Sequence, residues 1–202
     1  FDVYINNAFA VCHRDHASVS AIAEFLPSYA GFLIEEEVAK LTKAIDFPKE
    51  GKVIIIGGDK ASTKVPVIKN FIDKADKILV GGVVANDILK EKGIFIGESI
   101  VDENSTELLV GLDLGNPNLV VPEDYNIFEN KILDIGDKSI ETFNKIIAGA
   151  KMIIWSGPMG MFEDKRFAKG TDKMTEAMAE SGAFKIIGGG DTITAIDRVN
   201  LL

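Results

Sequence analysis

Five times along this chain a short, unbroken apolar run stops at glycine or proline. Lys52–Ile56 ends in Gly57-Gly58, Lys77–Val80 in Gly81-Gly82, and Leu119–Val121 in Pro122. Lys151–Trp155 ends in Ser156-Gly157-Pro158, and Phe184–Ile187 in Gly188-Gly189-Gly190. Runs of this length without alternation suit strands buried on both faces, as in a parallel sheet. Helical spacing fills the gaps. Val67, Ile68, Phe71, Ile72 and Ala75 share one helix face, as do Ile140, Phe143 and Ile147, and Met174, Ala177, Met178 and Ser181. Strands alternating with helices predict an α/β fold with a doubly wound, mainly parallel sheet, a Rossmann-like three-layer αβα arrangement.

The opening differs. Asp2–Asn6 reads as a strand, followed by a polar knot, Cys12-His13-Arg14-Asp15-His16. A long helix is expected after Pro27, with Ile34, Val38, Leu41 and Ile45 on one face and Glu36 placed to pair with Lys40. The stretch Asp46–Gly51, with Pro48, marks the edge of the main domain. A strand with almost nothing before it predicts a fragment of a longer protein.

Composition narrows the partners. The net charge of −9 and the absence of a Lys/Arg cluster with interleaved aromatics exclude a nucleic-acid groove. An acidic chain can still hold phosphates, through a few placed cations and backbone amides. Every apolar stretch is too short for a membrane span, and no signal peptide is visible. A single cysteine, Cys12, has no internal partner for a disulfide, which fits a reducing cytosol.

In open α/β sheets ligands bind beyond the carboxyl ends of the strands, and here those ends are glycine-rich. Glycine lets amides approach a phosphate closely, and the helix that follows adds its positive dipole end. In Gly57-Gly58-Asp59-Lys60-Ala61-Ser62-Thr63-Lys64, two lysines four apart at a helix start can both reach a phosphate chain. Spacing alone is also met by two solvated lysines, the commoner case, and the loop is not a Walker A motif. In Gly188–Thr192, Asp191 can hold Mg²⁺ and Thr192 a phosphate oxygen, or either can simply cap a helix. The His13/His16/Cys12 knot lacks a fourth zinc ligand, so an Arg–His pair facing an anion is the preferred reading. Trp155 is assigned to core or pocket wall.

The order of motifs carries more. Asn7-Ala8-Phe9 with His13-Arg14, Glu24–Gly31, the two-lysine loop, Gly81-Gly82, Asp134-Ile135-Gly136, Trp155–Glu163, Lys169-Gly170-Thr171 and Gly188–Thr192 run in the sequence seen in phosphoglycerate kinases. The chain resembles that family almost from end to end. The resemblance implies the end of a substrate lobe over 1–28, an interdomain helix and hinge over 29–50, and a nucleotide-binding domain over 51–202, incomplete at its carboxyl end. It implies reversible phosphoryl transfer between 1,3-bisphosphoglycerate and ADP, in a cytoplasmic monomer.

By the same resemblance, His13 and Arg14 contact phosphoglycerate, and Lys60 and Lys64 the nucleotide phosphates, with Lys64 nearer the transferred group. Gly81, Gly82 and Pro158 belong to the nucleotide pocket, and Glu163 to the ribose. Gly189, Gly190, Asp191 and Thr192 form the phosphate and Mg²⁺ turn, Gly189 and Gly190 joining Lys64 in the transfer. The departures are Asn7 for a usual Asp, Asp59 for Ala or Ser, Val83 for Gly, Ser156 for Asn, and a shortened Val121–Lys131 segment. The arginine-rich substrate lobe and the last glycine-rich segment are not in the sequence. A nucleotide-binding module without transfer activity is the alternative. A dinucleotide dehydrogenase is disfavoured by the missing G-x-G-x-x-G.

Overall fold

The computed structural model describes residues 1–199, so the last three positions of the expected 51–202 domain lie outside the described residues. The chain divides into two compact units, Phe1–Phe47 and Pro48–Leu202.

In the first unit β1 (Tyr4–Asn6) pairs in parallel with β2 (Ser28–Ala30), and α1 (Phe32–Asp46) follows. The helix expected directly after Pro27 is thus delayed by a strand. Asn7 explains where it begins: its Oδ1 accepts the Leu33 amide at 2.8 Å, capping α1, and a Cβ at Gly31 would lie 2.4 Å from that oxygen. An amide oxygen caps as well as a carboxylate, so Asn in place of Asp keeps the cap and loses only charge. Of the expected apolar face, Val38 and Ile45 are exposed and Ile34 and Leu41 half-buried, while Ala44 is buried. Glu36 and Lys40 pair at 2.6 Å, exposed to solvent.

The second unit holds β3 (Lys52–Ile56), α2 (Ala61–Phe71), β4 (Lys77–Val80), α3 (Gly82–Glu91), α4 (Ser105–Leu109) and β5 (Leu119–Val120). A hairpin of β6 (Tyr125–Phe128) and β7 (Lys131–Ile135) follows, then α5 (Asp137–Ala148), β8 (Met152–Ser156), α6 (Lys169–Glu180), β9 (Phe184–Gly188) and α7 (Gly190–Asp197). The central sheet runs β5-β4-β3-β8-β9, every neighbouring pair parallel. The five glycine- and proline-stopped runs are its five strands.

Strand alternation sorts the core into two layers. Val53 and Ile55 of β3 pack with Phe143, Ile147, Met174, Met178 and Ile196 of α5, α6 and α7. Ile54 and Ile56 pack with Val65, Ile68, Val84, Ile88 and Leu109 of α2, α3 and α4. Successive side chains point to opposite faces, so a run apolar at every position needs helices on both. The expected face of α2 is corrected: the helix starts at Ala61 and buries Ala61, Val65 and Ile68. Val67 is exposed, and Ala75 lies beyond the helix end, although buried. Pro66 sits in this helix. Among the described residues no helix is long and apolar enough to cross a membrane.

Candidate functional site

Strand order fixes where a ligand can enter. From β3 the chain moves by way of α2 to β4 on one side, and β8 returns on the other. The order reverses between β3 and β8, and in open sheets the crevice outside the carboxyl edge at such a point takes the ligand.

Four glycine turns line that edge and bond to one another. Gly57 N–H donates to Ser156 O at 3.0 Å, and Gly58 N–H to Pro158 O at 2.8 Å. Gly82 N–H donates to Met159 O at 2.8 Å, and Val83 N–H to Gly58 O at 2.9 Å. Gly157 N–H donates to Thr192 Oγ1 at 2.7 Å, whose own hydroxyl donates to Gly188 O at 2.9 Å. Thr192 is buried, and its side chain ties the β8 and β9 loops together. Gly82 has φ +58, and a Cβ there would lie 2.7 Å from Gly58 N and O. Gly189 has φ +96 as the residue before α7. At Gly190 a Cβ would meet nothing within 4 Å, so packing leaves that face open.

Lys64 stands in the first turn of α2, half-buried, and its Nζ donates to Ser156 Oγ across the crevice. Burial lowers its pKa below that of a free lysine, and Asp191 and Asp59 draw it partly back. Among the described residues no carboxylate is in hydrogen-bond contact with the ammonium, an arrangement that favours an anionic ligand. Lys60 is the residue before the helix, with a non-helical backbone (φ −116, ψ 85), and is exposed. The two lysines therefore do not share a helix face as their spacing alone implied.

Asp191 is exposed in the first turn of α7, and its carboxylate has no hydrogen-bond partner among the described residues. No group of three or more His, Cys, Asp or Glu that could hold a metal occurs among the described residues. A lone free carboxylate fits Mg²⁺ that takes its remaining ligands from phosphates and water.

Beside the crevice lies a cavity of about 370 Å³. Gly58, Gly82, Pro158, Glu163 and Asp191 line it together with Leu89, Ile135, Met159 and Phe162. Its apolar walls with a few charged groups at the rim, and its size, suit a small organic ligand with a polar end. Gly81 is buried beneath it, where a Cβ would strike Met159 Sδ at 2.7 Å. Trp155 is fully buried, its Nε1 donating to Gly157 O at 2.8 Å, and so braces the β8 turn from the core.

His13 and Arg14 belong to the first unit, where both are exposed at the turn after a short 3-10 segment (Phe9–Val11). Cys12, beside them, is a free exposed thiol.

A model of the phosphoglycerate kinase family matches residues 1–202. The chain belongs to the phosphoglycerate kinase family. It is similar to the phosphoglycerate kinases of Herpetosiphon aurantiacus (39% identical, 99% of this chain, 57% of that protein) and Thermosipho africanus (40%, 99% and 56%). Its fold is similar to phosphoglycerate kinase from Coxiella burnetii, with TM-score 0.87 and 33% identity over 99% of this chain and 58% of that one. Phosphoglycerate kinase from Pyrococcus horikoshii gives TM-score 0.81 and 29% identity. The chain thus spans a little over half the length of the phosphoglycerate kinases it matches. The two sequence alignments run over 223 and 228 positions, more than the chain's 202 residues, so those relatives carry extra residues inside the matched stretch.

One residue of the site was passed over in the sequence except as part of a motif. Asp134, at the cavity wall, is 2% exposed. Its Oδ2 accepts the Gly170 amide at 2.7 Å, and its Oδ1 that of Ile135 at 2.9 Å. Asp-Ile-Gly signals only a strand end; the contacts that matter arrive from Gly160 and Gly170.

Proposed function

We propose that this chain forms the nucleotide-binding part of a phosphoglycerate kinase, which passes a phosphoryl group from 1,3-bisphosphoglycerate to ADP and back. One observation carries the reading: Lys64 reaches across the sheet's switch point to Ser156, beside the amino end of α7 and next to an apolar cavity edged by Glu163. Purine and ribose occupy the cavity, with Pro158, Gly81 and Gly82 allowing close approach and Glu163 bonding ribose hydroxyls. The phosphates extend along the crevice to Lys60, Lys64 and the first-turn amides of α7, which helix geometry leaves without intrahelical partners.

Phosphoryl transfer rests on positioning and on neutralising charge. Lys64 and the amides at Gly189 and Gly190 supply both, and Asp191 holds Mg²⁺, which screens the phosphate oxygens when bound. The acyl phosphate is already activated, so no general base is required toward ADP. His13 and Arg14 take the phosphoglycerate, and residues 29–50 serve as the hinge between a lobe ending near 28 and the domain from 51. The protein acts as a cytoplasmic monomer, without nucleic acid.

Calorimetry with Mg-ADP and a coupled assay with 3-phosphoglycerate test the reading. The 202-residue chain is expected to bind Mg-ADP and to turn over poorly on its own, because the arginine-rich surface of the substrate lobe is not in this sequence. Absence of Mg-ADP binding would overturn the nucleotide reading, and full turnover by the isolated chain would overturn the division of labour.

A further inference from the structure

The loop from Gly160 to Gly170 carries Glu163 and joins the β8 turn to α6. Both of its ends rest on one carboxylate. A Cβ at Gly160 would lie 2.5 Å from Asp134 Oδ1, and a Cβ at Gly170 2.4 Å from the same oxygen. Only glycine lets both ends close on that side chain. The Gly170 amide donates to Asp134 Oδ2, and Met161 N–H donates to the neighbouring Leu133 O at 2.8 Å. Met159 N–H donates to Thr171 Oγ1 at 3.0 Å, which fixes the same loop to α6.

We propose that Asp134 is a positioning residue for the nucleoside wall: its carboxylate sets the loop that presents Glu163, and the affinity for nucleotide follows its charge. The proposal rests on the nucleotide reading given above. As carboxylate, Asp134 accepts from two amides; after taking a proton, one of its oxygens becomes a hydroxyl and a poorer acceptor for the loop.

The surroundings make that change reachable near neutral pH. Burial pushes the Asp134 carboxyl up to about 7, although the Gly170 and Ile135 amides pull it down. Asp172 on α6 raises it and Lys169 on α6 lowers it. Lys169 is itself paired with Asp137 at 2.6 Å, and Asp172 with Arg198. From β6, Asn126 stands opposite Asp134 and carries no charge.

The test is Mg-ADP affinity between pH 6 and 8 for wild type, Asp134→Asn and Glu163→Gln, each on the 202-residue chain. Titration of the nucleotide itself is common to all three and cancels in their ratios. Wild type is expected to lose about tenfold more affinity than Asp134→Asn on going from pH 8 to pH 6, as full linkage to one group near 7 requires. Glu163→Gln is expected to bind more weakly at pH 8 and with a shallower slope than wild type, because the contact that Asp134 positions is then weakened.

Parallel curves for wild type and Asp134→Asn overturn the proposal while leaving the nucleotide reading intact. Failure of wild type to bind at any pH overturns both. Should Asp134→Asn not fold, carboxyl NMR on wild type decides: saturating Mg-ADP is expected to lower the Asp134 midpoint, by reciprocity, and an unmoved midpoint overturns the proposal.

Discussion

Lys60 stands just ahead of α2 with a non-helical backbone, whereas Lys64 sits one turn inside the helix with its ammonium on Ser156. A half-buried cation bridging two loops is preorganised, and a preorganised charge acts most where negative charge moves. An exposed lysine free to follow its ligand holds bound phosphate and transition state about equally. Replacing Lys64 with Ala in a catalytically competent protein carrying this domain is expected to lower kcat by roughly 10²–10³ with little change in nucleotide affinity. Lys60→Ala is expected chiefly to raise the KM for nucleotide. Steady-state kinetics checks both, and the reverse pattern would show that the roles are swapped. Asp59 and Asp191 already soften the field at Lys64. Asp59→Ala is therefore the substitution that leaves the lysine more dependent on its ligand.

Among the elements that the sequence did not announce is the β6–β7 hairpin. Its turn residues Glu129 and Asn130 have φ +46 and +60, a left-handed pair without glycine, so the usual turn signal was missing. The hairpin also supplies a cap. Asp124 Oδ1 accepts the Ser139 amide at 2.8 Å and the Ser139 hydroxyl at 2.7 Å, and its Oδ2 accepts the Lys138 amide at 3.0 Å. It thereby satisfies the amino end of α5, where the preceding residue Gly136 has no side chain to do so. Burial raises the Asp124 pKa, but the Ser139 and Lys138 hydrogen bonds and the Lys138 charge together hold it below the usual range. A lowered carboxyl contributes stability above its unfolded pKa and loses it as pH falls through the folded value. Asp124→Ala is expected to cost about 1–2 kcal/mol at pH 7, a deficit that shrinks below about pH 4. Denaturant unfolding at the two pH values measures it, and a deficit independent of pH would assign the loss to packing.

The strands were legible because burial on both faces leaves apolar residues at successive positions, as at Val53, Ile54, Ile55 and Ile56. The buried face of α2 was not, because Ser62, Thr63 and Pro66 interrupt the apolar period that Val65 and Ile68 keep. Asp134 depends on partners 26 and 36 residues away in sequence, and no local pattern reports contacts of that kind.

At the scale of the molecule, the sheet's order does the assembling. Lys64 and Ser156, 92 positions apart, meet because β3 and β8 are neighbours in the sheet. The second unit also offers a groove between α5 and α6, edged by Glu141, Asn144, Lys145 and Glu180 and lined by none of the glycine turns at the sheet edge. The two places make opposite claims on a ligand. Amide NMR of the 202-residue chain titrated with Mg-ADP separates them. The account predicts shifts at Gly58, Gly82, Gly157, Gly189, Gly190 and Glu163, with Asn144 and Glu180 unmoved. Shifts confined to the α5–α6 groove, or none at the glycine turns, would contradict it.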